Sequence, residues 1–364
     1  MEVAILRTYN LKADFEGVDP YSYRGSDEIF LDQMNNLMQH HKSNCLEYSR
    51  IIDMFFKNKP FYENLEDIPF VPVRVFKEID LLSTNRENIY KVMKSSGTSG
   101  QSPSRIFVDK ETSLNQIYAL SKIMTNFFGG ARLPMLIIDS KETISNRKNF
   151  NARAAGILGF SMFGSELFYA LKDDLSIDYP TIDAFLAKCQ NSDGLVFGFT
   201  SIIWKHLISA LKEKQTNFDL SHTSLLHGGG WKSMHDKGVS NDAFKLEVLS
   251  TLGINKVVNY YGMIEQTGSV FFECADGYLH TSVFSNVVIR DHRNFDSLPE
   301  GEWGLIQLQS LLPGSYPGHS ILTEDIGMIL PGFECQCGRS GKRIVINGRI
   351  PKAEVRGCSD TYEN

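Results

Sequence analysis

The chain has few cysteines, no long apolar run and no block of a single charge. Six of its 364 residues are cysteine (Cys45, Cys189, Cys274, Cys335, Cys337 and Cys358), too few and too scattered for a disulfide framework in a chain of this length. The longest apolar stretches, such as 133–138, fall far short of the roughly 20 residues of a membrane span. No charged-then-apolar leader with a small-residue cleavage site opens the sequence, so a cytoplasmic protein is the expectation. Net charge is −6 without a basic cluster, which argues against a surface that neutralises a nucleic-acid backbone. Repeats and low-complexity linkers are also missing.

The composition is that of a globular protein: with 42% apolar and 22% charged residues, the chain can bury one large core or two unequal ones. Its most informative stretch is 92–104, Val-Met-Lys-Ser-Ser-Gly-Thr-Ser-Gly-Gln-Ser-Pro-Ser. Hydroxyls and glycines alternate there, so backbone N–H groups can approach an anion while Ser and Thr side chains add hydrogen bonds. A Walker loop needs Lys directly after its last glycine, and Gln101 follows Gly100. The segment is therefore a phosphate-loop candidate of another kind, or a plain surface loop.

Apolar spacing over 26–57 predicts one or two amphipathic helices interrupted by a polar patch at 39–44. The two prolines of 67–77 predict an extended connector. From Tyr90 strands alternate with helices: strands at 104–108, 134–139, 194–198 and 224–227, helices at 111–128 and 202–213. This alternation predicts an α/β fold with mainly parallel sheet. Beyond Gly262 short β-rich pieces (269–273, 287–289, 304–311, 326–330, 343–347) predict an antiparallel or barrel-like subdomain. The expected organisation is a helical N-terminal region packed on the core (1–89), an α/β nucleotide-binding core (90–262), a β-rich subdomain (263–348) and a short tail (349–364).

Three further motifs follow the loop. Gly228-Gly229-Gly230-Trp231-Lys232 comes directly after an apolar strand, where an open α/β sheet binds ligands and bare backbone admits a flat ring. Tyr260-Tyr261-Gly262-Met263-Ile264-Glu265 ends in an acid, which by itself is equally readable as a strand, a turn and a solvated Glu. Thr323-Glu324-Asp325 falls between two apolar stretches, where Asp325 is either a ribose ligand or a turn residue. Cys274-x5-His280 and Cys335-x-Cys337 supply three sulfurs and an imidazole, the ligand set of a closed tetrahedral zinc site, with free thiols and a surface His as the alternative. A closed set leaves no position for a reactive water.

In this order the motifs resemble those of adenylate-forming enzymes over roughly 90–350. Within that superfamily the chain resembles the acyl-protein synthetases (long-chain-fatty-acid luciferin-component ligases) of the bacterial fatty acid reductase complex. The matching tokens are Asp67-Ile68-Pro69, Val75-Phe76-Lys77, Ser95 to Gly100, Gly228 to Lys232 and Arg356-Gly357-Cys358. A second likeness, in Cys335-Gln336-Cys337-Gly338-Arg339 and Ile346-Asn347-Gly348-Arg349, is to phenylacetate-CoA ligase-type enzymes, which carry comparable Cys/His clusters.

The resemblance implies an ATP- and magnesium-dependent ligase that activates a carboxylic acid as its adenylate and passes it to a thiol. Ser95, Ser96, Gly97, Thr98, Ser99 and Gly100 would hold phosphates, Gly228, Gly229 and Gly230 border the adenine, and Tyr261 and Gly262 lie beside it. Glu265 would bind the magnesium ion, Asp325 the ribose, and Arg349 the ribose or hinge. Lys232 is the expected cation near the carboxylate or the α-phosphate. Cys358 would take the acyl group as a thioester, helped by Arg356, which favours the thiolate; otherwise it is an incidental residue.

Full-length members of the superfamily carry a C-terminal lobe whose Lys contacts the adenylate. Here the sequence runs from Arg349 only to Asn364, so the expectation is a truncated lobe, with Lys232, Lys352 or another lysine in that role or none. The final acceptor is open among a reductase, a carrier protein, coenzyme A and a sugar amine. A coenzyme A ligase that bypasses Cys358 and a non-catalytic nucleotide-binding scaffold are the alternatives.

Overall fold

A computed structural model describes residues 11–22, 26–56, 59–95, 103–145, 152–190, 192–229, 239–332 and 334–350. Among them, 11–93, 103–129 and 262–350 form one compact unit, and 94–95 with 130–261 form another. No helix among them is long and apolar enough to cross a membrane.

In the first unit the strands β1 (Val71–Pro72), β2 (Ile89–Lys94) and β3 (Arg105–Asp109) follow two helices, Ser26–Asn44 and Leu46–Phe55. The polar patch at 39–44 does not interrupt the first helix. The helix carries it through because His41 and Asn35 are fully buried and hydrogen-bonded inside, His41 to Ser83 and Pro313, Asn35 to Tyr62. The break falls at Cys45, whose extended φ of −133° caps the second helix. The 67–77 connector is only partly extended. Val71 pairs in parallel with Ile321, and the chain then turns into the one-turn helix Val75–Glu78, which buries Phe76. Phe76, Tyr48, Met93, Ile106, Tyr316 and Ile321 share one apolar cluster. That cluster anchors both strands flanking the Ser/Thr/Gly loop, since β2 leads into it and β3 leaves it.

The second unit is a parallel sheet of β4 (Leu133–Ser140), β5 (Gly164–Leu171), β6 (Gly194–Phe199), β7 (Thr223–Gly228) and β8 (Lys256–Tyr261), in the order β5-β4-β6-β7-β8. This is the doubly wound order whose ligands bind outside the carboxyl ends of the strands. The six residues of β6 are all buried, as expected of a strand covered on both faces. β5 escapes the sequence reading because it is an edge strand with polar exposed positions, and β8, read only at its Tyr260-Tyr261 end, follows a helix of weak amphipathicity, Asn241–Leu252.

Returning to the first unit, the chain adds β9 (Phe271–Phe272), β10 (Leu279–His280), β11 (Ser285–Arg290), β12 (Gly304–Ser310), β13 (Ser320–Ile329) and β14 (Arg343–Arg349). The last four with β10 make an antiparallel sheet ordered β10-β14-β13-β12-β11. Thr323-Glu324-Asp325 is not a connection between two strands. It lies inside the ten-residue β13, where the register with β14 shifts between Asp325 and Gly327. A bulge of this kind re-aims side chains next to functional sites. The buried face of this sheet is polar: Gln307 bonds Arg290, Ser320 and the Ile68 carbonyl, and Gln309 bonds Asn286 and the Leu65 carbonyl.

Candidate active site

The last described residue before the Ser/Thr/Gly loop is the half-buried Ser95; Ser96, Gly97, Thr98, Ser99 and Gly100 lie outside the described residues, as do Gly230, Lys232 and Cys358. The stems of the loop are described, and both touch the segment after Gly262. Thr267 Oγ1, which donates to the Ile264 carbonyl at 2.9 Å, lies 3.8 Å from Met93 Sδ, one residue before the end of β2. On the other stem, the buried Ser104 lies beside the carboxylate of Glu265 and favours its charged form.

Glu265 is 5% exposed. Burial pushes its pKa above the ordinary carboxylate range, while the Ser104 hydroxyl and the charges of Lys77 and Arg349 pull it back. The helical turn Ile264–Gln266 is held from beneath: the Tyr316 hydroxyl donates to the Glu265 carbonyl at 2.8 Å, and the Gln266 amide donates to the Gly318 and Leu308 carbonyls. A buried acid fixed by backbone contacts and facing cations supplies the hard oxygen that a divalent cation requires. The residues therefore fit a magnesium ligand.

Asp325 and Arg349 are cross-strand partners of β13 and β14, and Arg349 Nε donates to Asp325 Oδ1 at 3.1 Å. The neighbouring Glu324 pairs with Arg74. Glu265, Asp325 and Arg349, taken from three separate motifs, thus gather in one unit. Sequence reasoning assigned no role to Lys77, although it quoted the Val-Phe-Lys token; the one-turn helix places it within electrostatic reach of Glu265.

Gly228, Gly229 and Tyr261 belong to the parallel-sheet unit. Gly229 has a φ of +81°, and a Cβ there would stand 2.7 Å from the Phe199 ring, so this turn requires glycine. Beneath it His227 is fully buried. Thr200 Oγ1 lies 2.9 Å from His227 Nδ1 and donates to the Gly228 carbonyl at 3.3 Å. Burial, with the charge of Lys245, lowers the His227 pKa to about 3. The histidine is therefore neutral and holds the glycine turn from inside.

The four predicted metal ligands converge. Cys274 and His280 flank a turn in which Cys274 N–H donates to the Tyr278 carbonyl and Gly277 takes a φ of +82°. Cys335 and Cys337 flank a second turn closed by Gly338 N–H on the Cys335 carbonyl. The four ligand atoms lie within 4.8 Å of one another, with Cys274 Sγ 3.8 Å from Cys335 Sγ and Cys337 Sγ 3.6 Å from His280 Nε2. Tetrahedral Zn–S bonds of about 2.3 Å and Zn–N bonds of about 2.0–2.1 Å would set these separations at about 3.8 Å and 3.6 Å. Burial lowers the His280 pKa to about 4, leaving the neutral ring that ligates. The Arg339 N–H, 3.4 Å from Cys337 Sγ, helps hold that thiol below its ordinary pKa against the effect of burial. The donor set fits zinc.

A family model described as acyl-protein synthetase, LuxE, matches residues 16–364. Over 308 residues the chain is 24% identical to the long-chain-fatty-acid–luciferin-component ligase of Vibrio harveyi, covering 82% of this chain and 78% of that one. The ligase of the same name from Aliivibrio fischeri is likewise 24% identical, with 79% of its length covered. Among solved structures, 2-hydroxyisobutyryl-CoA ligase in complex with 2-HIB-AMP and CoA superposes with a TM-score of 0.71 at 18% identity, over 90% of this chain and 75% of the other. At that identity the likeness is one of fold.

Proposed function

Because the chain belongs to the acyl-protein synthetase family and is an ATP-dependent acid–thiol ligase, we propose that the residues gathered above hold ATP and magnesium for acyl transfer to Cys358. The carboxylate oxygen attacks the α-phosphorus and pyrophosphate leaves. The Cys358 thiolate then attacks the acyl carbon and AMP leaves, so that acid, ATP and thiol become thioester, AMP and pyrophosphate. Such a displacement needs charge neutralisation and in-line positioning more than covalent help.

The observation that carries this reading is the tie between the loop stems and the segment after Gly262. Ser104 beside Glu265 and Met93 beside Thr267 support this reading, since they bring a buried acid to the stems of the Ser/Thr/Gly loop. Ser95 to Gly100 would take the phosphates, and Glu265 their magnesium ion. Asp325, oriented by Arg349, would accept from the ribose hydroxyls. Gly228 to Gly230 and Tyr261 with Gly262 would border the adenine, and Lys232 would face the carboxylate. Zinc on Cys274, His280, Cys335 and Cys337 would join two turns of the β-rich part; with four protein ligands it offers no open position for a reactant.

A second reading, direct transfer to coenzyme A, is favoured by the fold shared with a ligase that binds that cofactor. Intact-protein mass measurement after incubation with ATP, magnesium and mixed carboxylic acids separates the two. The proposal expects an adduct of one acid less water, removed by hydroxylamine and absent from Cys358→Ser. An unmodified protein that releases pyrophosphate only when coenzyme A is added would overturn it. The identity of the final acceptor, a carrier protein or a reductase among them, is tested by which one discharges the adduct.

A further inference from the structure

The Cys335-Gln336-Cys337-Gly338-Arg339 motif ends in a residue to which neither the nucleotide site nor the metal set gives a task. Arg339 is half-buried and faces two ways. Its backbone N–H lies 3.4 Å from Cys337 Sγ. Its guanidinium donates to Asn126 Oδ1 at 2.9 Å and lies 3.8 Å from the centre of the Phe127 ring, at the end of the helix Lys110–Phe128. A planar cation stacked on a ring and bonded at its edge is fixed in direction as well as in place. One residue thus ties a metal ligand to a helix end 213 positions away.

The contacts beyond Asn126 close into a ring. The Asn126 amide donates to Asp19 Oδ2 at 3.0 Å, and Asp19 Oδ1 accepts from the Tyr21 N–H at 2.7 Å. The Tyr21 carbonyl then accepts at 3.1 Å from the N–H of Ser340, the residue next to Arg339. The preceding carbonyl, that of Pro20, accepts at 2.8 Å from the Val283 N–H, just beyond His280. The two metal-bearing segments therefore bond successive carbonyls of one stretch, 19–22, whose buried Tyr21 ring lies edge-on to His280 at 6.3 Å. Upstream, the chain is held without them: Phe15 packs 5.3 Å from Phe284, and its carbonyl accepts from the Tyr118 hydroxyl at 2.9 Å.

We propose that Arg339 is a positioning residue of the metal centre and that it couples metal binding to the seating of segment 19–22. This rests on the zinc reading of Cys274, His280, Cys335 and Cys337. Zinc fixes the Cys335–Cys337 turn in the arrangement in which Arg339 reaches Asn126 and Ser340 reaches Tyr21. With the metal removed, the thiols have no common partner, the turn gains freedom, and the ring of bonds loses its anchored side. Binding free energies are linked, so a seated segment must in turn tighten zinc.

Hydrogen exchange read by mass spectrometry, on the zinc-loaded protein and after EDTA, tests the first direction. The Tyr21 and Ser22 amides, the latter bonded to the Asp19 carbonyl, should exchange about tenfold faster or more after chelation, while the Phe15 amide should not change. Zinc competition with a chromophoric chelator tests the second. Arg339→Ala should weaken zinc about ten- to a hundredfold, and Arg339→Lys, which keeps the charge and loses the fork, should not restore it. Asp19→Ala, which alters no ligand, should weaken zinc about fivefold or more. Unchanged zinc affinity in Asp19→Ala and Arg339→Ala, or amides at 21 and 22 indifferent to chelation, would overturn the inference and leave the metal site standing. An unaltered protein that holds no zinc would overturn both.

Discussion

Lowering the pH should unfold this protein early, and His319 supplies a magnitude that can be checked. The ring is fully buried, stacked 4.8 Å from the equally buried His41, with the Tyr48 hydroxyl 3.4 Å from its Nε2. Burial, and then the charge of His40, lowers its pKa from 6.5 to about 3. His41 is pushed the same way by burial and by His319, and both its ring nitrogens are already committed, to Ser83 and to the Pro313 carbonyl. The unfolded chain therefore takes up a proton near pH 6.5 that the folded chain refuses until about pH 3. Stability falls as pH drops below 6.5, and the loss is complete once the folded-state pKa is passed. For His319 alone, going from pH 7 to pH 5 costs about 2 kcal/mol. His227, also lowered to about 3, adds a similar term, and the sum is a large part of a typical stability of roughly 5–15 kcal/mol. Urea unfolding of the unaltered protein and of His319→Phe at the two pH values gives the test. The substitution keeps a ring against His41, and comparing each protein with itself across pH cancels any packing change common to both conditions. The variant should lose about 2 kcal/mol less than the unaltered chain. An identical loss in both would refute the assignment of a neutral buried ring to His319.

Three other outcomes follow from the same structure. Glu265→Gln should lower pyrophosphate exchange by about a hundredfold or more and raise the urea midpoint at neutral pH, because burial penalises the ionised carboxylate; a fall in both would mean that the acid serves the fold. Cys337→Ser should reduce metal measured by elemental analysis from about one zinc per chain to near none and lower the melting temperature, whereas unchanged zinc would remove Cys337 from the ligand set. Asp139→Asn should destabilise by roughly 3 kcal/mol or more in urea unfolding, since it leaves Arg153 as a buried charge, and replacing both residues by apolar ones should cost less than the sum of the single changes. In the folded protein Arg153 Nε lies 3.0 Å from Asp139 Oδ2, with neither side chain more than 1% exposed.

What the sequence determined by itself is whatever depends on local order. The strands β3, β4, β6 and β7, the helices over 111–128 and 202–213 and the glycine turn after an apolar strand are neighbour relations along the chain, and backbone propensity and side-chain period express them directly. The ligand chemistry of three thiols and one imidazole was legible for the same reason. Tertiary structure decided what those neighbours meet. Cys274 and Cys335 are brought to 3.8 Å across 61 positions. Asp325 became the partner of Arg349 because β13 runs through its motif instead of ending there. Lys77 reached Glu265 through a helical turn that two prolines had argued against. The polar patch at 39–44 stayed helical because a buried histidine with both nitrogens satisfied costs less than its sequence suggests. The neighbours of the glycine turn, too, meet only in the folded chain: Phe199, Gly228 and Tyr260 are far apart in sequence, and the register of three parallel strands sets them side by side.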